Sequence, residues 1–350
     1  MANFEGAFNA SIMNTSSDGL QAMVPCDLFS PSSAVVRSKI FAYSILIPVA
    51  LLGNILTILV IYTNKNMRTT LDYFIINMAI SNLLIPVVAL PYQIIKTANN
   101  SNVWLVDGTT GECLCKVVFL LVDVSPVASI FSLIGMSLKP FRAIVCRCRN
   151  ESYFFVSSRR RTLLILCIWL MSLTIFSPYF YTFRLHRHNN TTYCVQRWSP
   201  AFDQVKAHRT FSAIVLVLVI IIPFFILITL YSAILITLIK CLPLYNPQSS
   251  AARSRRNKTI KNTTKMAFTL VLAFGLCWGP YNVFMIFWGF AWDWKPLPSC
   301  NWYLIFLCAQ FLTYAYSCLC PSIHFLFFNK YKRGMKRLFL RFLYVTSNGS

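Results

Sequence analysis

The chain is 350 residues long, 57% hydrophobic and only 12% charged, with a mean hydropathy of +0.59. Water-soluble domains carry about 25% charged residues, so this composition excludes an ordinary soluble enzyme or binding module and points to the bilayer. Lys and Arg number 32 against 10 Asp and Glu, a net +22, yet they fall in short blocks between long apolar runs, which argues against nucleic acid as a partner.

Residues 1–35 read as a largely polar tail. No basic segment followed by an apolar core occurs there, so no cleaved signal peptide is expected, and the first apolar helix would act as its own insertion signal. A spanning helix needs about 20 mostly apolar residues. Seven segments qualify, at 36–63, 72–96, 115–141, 163–183, 210–239, 266–291 and 302–328. They predict an all-α membrane protein, a seven-helix bundle over 36–328. The third is the weakest, because Asp123 interrupts it and Lys139 cuts its end. After the fourth, Phe183 to Leu185 and Thr192 to Arg197 predict a two-stranded hairpin around an Asn-Asn turn.

The sixth segment contains Phe274-Gly275-Leu276-Cys277-Trp278-Gly279-Pro280-Tyr281, in a run without charge between Lys265 and Asp293. Pro280 removes a backbone donor and crowds the preceding turn, so the helix bends there. A bilayer tolerates the bend when neighbouring helices re-satisfy the freed carbonyl. Trp278 lies two residues before the bend and Phe274 one turn below, so an event at one end of this helix can swing the other. An aromatic-rich span with an incidental proline has the same local sequence. Beyond the seventh segment, residues 329–350 predict a short amphipathic helix and tail. Tyr331, Met335, Leu338 and Phe339 recur there among cations, which suits a helix lying on anionic lipid.

Seven crossings put the termini on opposite sides. With the N-terminus outside, the inner segments hold 22 basic residues against two acids, Asp72 and Glu151, while the outer segments hold ten against seven. The positive-inside rule therefore predicts an extracellular N-terminus. The sequons at Asn9, Asn14, Asn99, Asn189 and Asn190 then fall outside, where glycosylation is possible.

These features resemble a rhodopsin-like G protein-coupled receptor of the peptide type over nearly the whole chain. Gly53-Asn54 is similar to the helix-one pair of that family, and Asn77-Met-Ala-Ile-Ser-Asn82 to its helix-two signature. Trp169 with Pro178, Pro223 with Tyr231, and Cys277-Trp278-Gly279-Pro280 resemble helices four, five and six. Ser317-Cys318-Leu319-Cys320-Pro321 resembles helix seven. The resemblance implies a plasma-membrane protein that binds an extracellular peptide or small molecule, partners a heterotrimeric G protein, and uses no cofactor or metal. It implies a switch through Phe274, Trp278, Pro280, Pro223, Tyr231, Pro321 and His324. It also implies ligand contacts from Tyr92, Gln93, Val122, Asp123, Tyr281, Asn282, Phe284, Gln310 and Tyr314. Cys115 and Cys194 match its cross-linking pair, with Cys113 a competing partner. A second bridge from Cys26 to Cys300 and lipidation at Cys146 or Cys148 are further expectations.

The departures from the family bear on coupling. Asn82 and Cys320 stand where an acid and an Asn usually hold a sodium ion, and neither brings a negative charge. The G-protein-facing end of helix three usually reads Asp/Glu-Arg-Tyr; here it reads Lys139-Pro140-Phe141, and Arg142 lies about 200° round the helix from the missing Arg. His324 replaces the usual Tyr of helix seven. Two outcomes follow: coupling through an altered switch, or a ligand-binding decoy that couples poorly.

The family's amine-binding acid corresponds to Val122, with Asp123 next to it. Asp123 either faces a ligand, as in a small-amine receptor, or pairs with a polar group on a neighbouring helix. The long second outer loop, with Arg184, His186, Arg187, His188, Arg197, Lys206 and Arg209, suits a peptide carrying acidic groups. The nearby Trp residues favour cations, though an interfacial aromatic belt explains them as well. Transporters show buried charge pairs or repeated halves, and membrane hydrolases show paired catalytic residues. This sequence has neither, so no enzyme is expected.

Overall fold

The computed structural model describes residues 33–64, 67–99, 102–145, 158–188, 190–241, 251–292, 300–327, 331–338 and 340. The expectations for Cys26, Cys146, Cys148, Asn9, Asn14 and Asn189 lie outside these residues, as does the side chain of Cys300. Seven helices among them are long and apolar enough to cross a membrane. They are α1 (Ser33–Thr63), α2 (Thr70–Ala98), α3 (Gly108–Ile144), α4 (Ser158–Ile175), α5 (Gln204–Cys241), α6 (Ala251–Ala291) and α7 (Cys300–Phe327). Residues 331–338 form a further short helix, α8.

Three boundaries differ from expectation, each for a local reason. α3 starts at Gly108, whose φ of 70° turns the chain into the helix in a conformation other residues avoid. α4 stops at Ile175, because Pro178 disfavours helix at the residue before it; one short turn, Tyr179–Thr182, follows. α6 begins at Ala251 rather than 266. The Ala-, Arg- and Lys-rich segment before the span lacks Gly and Pro and continues the helix.

The bundle is apolar on its outside as well as its inside. Phe41, Ile45, Leu52 and Leu59 on α1 and Ile221, Phe225, Ile228 and Ile236 on α5 are all exposed, at helical spacing. Such a surface fits lipid and not water. With lipid as apolar as the interior, association must come from close packing and buried polar contacts. Between α2 and α3 those contacts form a ladder. Asn77 Nδ2 donates to Ser132 Oγ at 2.8 Å, Ser81 and Ser129 share a hydrogen bond at 2.9 Å, and Ser125 Oγ donates to the Ser81 carbonyl at 2.7 Å. Trp169 Nε1 donates to Asn77 Oδ1 at 2.8 Å and joins α4 to the same ladder. Ser125, Ser129 and Ser132 lie on one face of α3, so this stripe was visible in the spacing; its partners were not.

Close approach of α1 to α7 and of α3 to α2 depends on a glycine in each pair. A Cβ at Gly53 would lie 2.7 Å from Pro321 Cγ, and one at Gly135 would lie 2.6 Å from the Phe74 ring. Asn54 then donates to the Ser317 carbonyl at 2.9 Å, tying α1 to α7. Gly135→Ala is expected to destabilise the bundle by about 1–3 kcal/mol through overpacking. Thermal unfolding of the purified protein checks this, and an unchanged midpoint would mean that Phe74 moves aside freely.

The predicted hairpin is present and longer than expected. β1 (Phe183–His188) pairs antiparallel with β2 (Thr191–Gln196), with Phe183 opposite Gln196 and His188 opposite Thr191. Asn190 takes a φ of 61°, the left-handed conformation a two-residue turn needs.

Candidate ligand-binding site

A cavity of about 110 Å³ opens between α3, α4, α5 and α6 toward the hairpin end. Asp123, Pro126 and Val127 line it from α3 and Phe176 from the end of α4. α5 contributes Ser212 and Val215, then Leu216, Val219 and Ile220 from a π-helical stretch, Leu216–Ile221. α6 contributes Phe274, Trp278, Tyr281, Asn282, Met285 and Ile286, and Phe290 from the π-helical stretch Phe287–Ala291. Single π turns within α-helices are frequent at functional sites, and two of the described ones form walls here.

Asp123 is 5% exposed, and its Oδ2 accepts a hydrogen bond from the Tyr179 hydroxyl at 2.6 Å. Asp123 thus bonds to the chain that follows α4 and also lines the cavity. Nothing in the sequence connects it to Tyr179, 56 residues on. Tyr179 is itself wedged among Phe176, Phe183 and Phe211, at centroid distances of 5.3, 4.8 and 5.9 Å. The polar complement of the walls continues with Trp278 Nε1 and Ser212 Oγ, both buried without a hydrogen-bond partner among the described residues. Asn282 Nδ2 donates to the Trp278 carbonyl at 2.8 Å, one turn along α6.

Of the residues expected at a ligand, Asp123, Tyr281 and Asn282 meet at this cavity. Val122 lies on another face of α3 and packs with Tyr43, Leu90 and Tyr314. Tyr92 sits between Trp104 and Phe119, at 5.8 and 5.4 Å. Phe284 turns toward α7, against Trp288 and Phe306. Gln93 and Gln310 are buried elsewhere in the bundle.

The hairpin is held above α3 by the Cys115–Cys194 disulfide, with a Cα–Cα distance of 5.7 Å, and Cys113 is free. Phe183 stacks on Phe119 at 4.6 Å, and the Trp104 amide donates to the Thr192 carbonyl at 2.7 Å. Its electrostatics are those of a cation cluster. Burial, then the neighbouring Arg197 and His188, pull the His186 imidazole below its ordinary value. Arg187 and Arg209 are exposed, and Arg184 lies over the Tyr181 ring at 4.9 Å.

A run of contacts leads from the cavity to the opposite, basic end. Trp278 stacks on Phe274 at 5.9 Å, Phe274 meets Tyr316 edge-on at 5.2 Å, and the Tyr316 hydroxyl donates to Met78 Sδ at 3.7 Å. Pro280 faces outward, whereas Pro223 and Pro321 are buried. At the basic end the Tyr231 hydroxyl and Ser137 Oγ share a hydrogen bond at 2.9 Å, and the Tyr231 ring contacts Phe268 of α6 at 5.6 Å. Pro140 is buried, so of the expected G-protein-facing set Lys139 is exposed and Phe141 and Arg142 are half-buried.

The buried Asp72 was not anticipated as a site. Its Oδ2 accepts from Thr69 Oγ1 at 2.6 Å and the Thr69 amide at 3.1 Å, and its Oδ1 from the Tyr331 hydroxyl at 2.9 Å. Burial and the adjacent carboxylate hold the Tyr331 phenol well above its usual range, so it remains a donor. His324 stacks on the same ring at 6.2 Å. Tyr331→Phe is expected to cost about 1–3 kcal/mol by stripping a donor from a buried carboxylate. Thermal unfolding reads it, and no change would show that another donor substitutes.

The family model for 7 transmembrane receptors of the rhodopsin family matches residues 53–324. A QRFP-like peptide receptor of Branchiostoma floridae is 27% identical over 75% of this chain and 67% of its own length. The neuropeptide Y receptor type 6 of Mus musculus is 25% identical over 84% and 78%, and the galanin receptor 2a of Danio rerio 27% identical over 87% and 78%. With seven apolar spans, a tethered hairpin and a match over most of its length, the chain belongs to the rhodopsin family of seven-transmembrane receptors.

Proposed function

We propose that this receptor binds an extracellular peptide at its hairpin end and passes the event to a heterotrimeric G protein by outward movement of the basic end of α6. In this reading the N-terminus and the hairpin face outward, and α8 lies on the inner leaflet. The single observation that carries it is that Trp278 belongs both to the cavity wall and to the aromatic run ending at Met78. A ligand shifts a conformational equilibrium only by touching groups whose positions differ between the states. An occupant of this cavity touches α5 and α6 together, and α6 contains Pro280 just beyond Trp278, where the lost backbone donor favours a bend. The similarity to receptors named for QRFP-like peptide, neuropeptide Y and galanin supports a peptide as the ligand class.

The buried Pro140 favours a second reading, a receptor that binds without coupling, because no arginine side chain projects from that position. A peptide-library screen on cells displaying the chain separates the two, read by direct binding and, in parallel, through a promiscuous G protein. Binding with a matching response supports the proposal. Binding without response gives the decoy, and no binding by any peptide to displayed receptor overturns the peptide reading.

A further inference from the structure

We propose that one face of the hairpin is a proton-linked anion site: Arg184, His186, His188 and Arg197 bind an extended acidic segment of the ligand, and the two imidazoles take up protons as it binds. This rests on the reading of the chain as a peptide receptor. Alternate residues of a strand share a face, so Arg184, His186 and His188 of β1 project to one side at a spacing of about 6.6 Å. Arg197 belongs to that side as well. Its amide donates to the Thr182 carbonyl at 2.8 Å, which carries the register one pair beyond Phe183 and Gln196. Arg184 is steadied by Tyr181, with its guanidinium over the ring at 4.9 Å and Nη2 donating to the carbonyl at 3.1 Å. His188 is exposed, and Arg184, His186 and Arg197 are half-buried. Every second side chain of an extended peptide falls at the same spacing as the β1 cations, so alternate acids meet a cation at each step.

The proton linkage follows from what surrounds the imidazoles. Burial, then Arg197 and His188, lower His186 from its ordinary value, so in the ligand-free hairpin it is neutral at about pH 7.5. Both neighbours that act on it add positive charge. The other titratable groups on the elements packed against the hairpin are Asp107, Glu112, Cys113 and Lys116 around the outer end of α3, Tyr179 and Tyr181 of the turn before β1, and Tyr193 of β2. Glu112, the acid that Arg184 reaches, is already paired with Lys116 at 2.8 Å. An anion set among the four cationic groups reverses the repulsion and raises both imidazoles. A group raised on binding adds affinity as pH falls through its bound-state value, so binding tightens from about pH 7.5 to about pH 5.5. The ligand class is an extended acidic peptide, held more firmly in acidified surroundings.

The test uses the full chain in phosphatidylcholine nanodiscs and saturation-transfer NMR at constant ionic strength. The probe is acetyl-Cya-Thr-Cya-Thr-Cya-amide, where Cya is cysteic acid, beside the same peptide with Ser in place of each Cya. Sulfonates stay ionised throughout, so any pH dependence belongs to the receptor. The cysteic peptide is expected to bind about tenfold more tightly at about pH 5.5 than at about pH 7.5, which is one pKa unit of linkage spread over two imidazoles. Combining His186→Gln with His188→Gln should bring that ratio close to one. Arg197→Gln should weaken binding at both pH values, because the charge it removes does not titrate. If the double variant does not fold, the two peptides on the unaltered chain decide alone. A ratio under about threefold, a ratio that survives the double variant, equal binding of the Ser peptide, or no binding at about 10 mM overturns the anion site. An activating library peptide that binds equally at both pH values, and equally well to the double variant, would sink the anion site while leaving the receptor reading intact.

Discussion

Cys115→Ala and Cys194→Ala are each expected to cut ligand-competent receptor at the cell surface by about tenfold or more. The disulfide closes a segment with a sequence separation of 79, for which loop closure alone predicts about 4 kcal/mol. That figure is a ceiling, because α3 and α4 stay inserted in the bilayer and the unlinked chain is never a free coil. Even a third of it is tenfold. The loss is also structural: without the bridge, the Phe183–Phe119 stack and the Trp104–Thr192 bond must hold the lid alone. The double variant should be no worse than either single one, since both remove the same bond. Surface staining and binding counted on the same cells check this, and two variants that behave as the parent would show the lid is held without the disulfide.

Trp278→Ala is the second large effect, with a different signature. Truncating a buried tryptophan costs about 3–5 kcal/mol of packing, so surface level falls. Among the receptors that do reach the surface, response per bound ligand should drop more than affinity. Asp123, Tyr281 and Phe176 remain in the cavity wall, whereas Phe274 loses the ring that stacks on it and couples to it. Response and affinity falling by the same factor would assign Trp278 a packing role only.

Which of these features were legible in the sequence follows from the range of the forces involved. The spans were, because an uncharged run of about 20 residues has few alternatives in lipid. The hairpin was legible from its Asn-Asn turn. The basic extension of α6 was not, since the span criterion ends at the first charges while helix propensity does not. The cavity was half legible: Asp123 stood out as a lone acid in a span, but its partner Tyr179 and the π turns of α5 and α6 depend on tertiary packing. The Asp72–Tyr331 bond, 259 residues apart, left no local trace.

The central claim is that a ligand in the cavity moves the basic end of α6. The direct measurement places spin labels, introduced as non-canonical amino acids, at the exposed Lys139 of α3 and Lys265 of α6 in nanodisc-embedded receptor. Double electron–electron resonance then compares the distance distribution with and without a peptide found by the library screen. The account predicts a shift to longer distances that Trp278→Ala suppresses at saturating peptide. A distribution unchanged by bound peptide would contradict it.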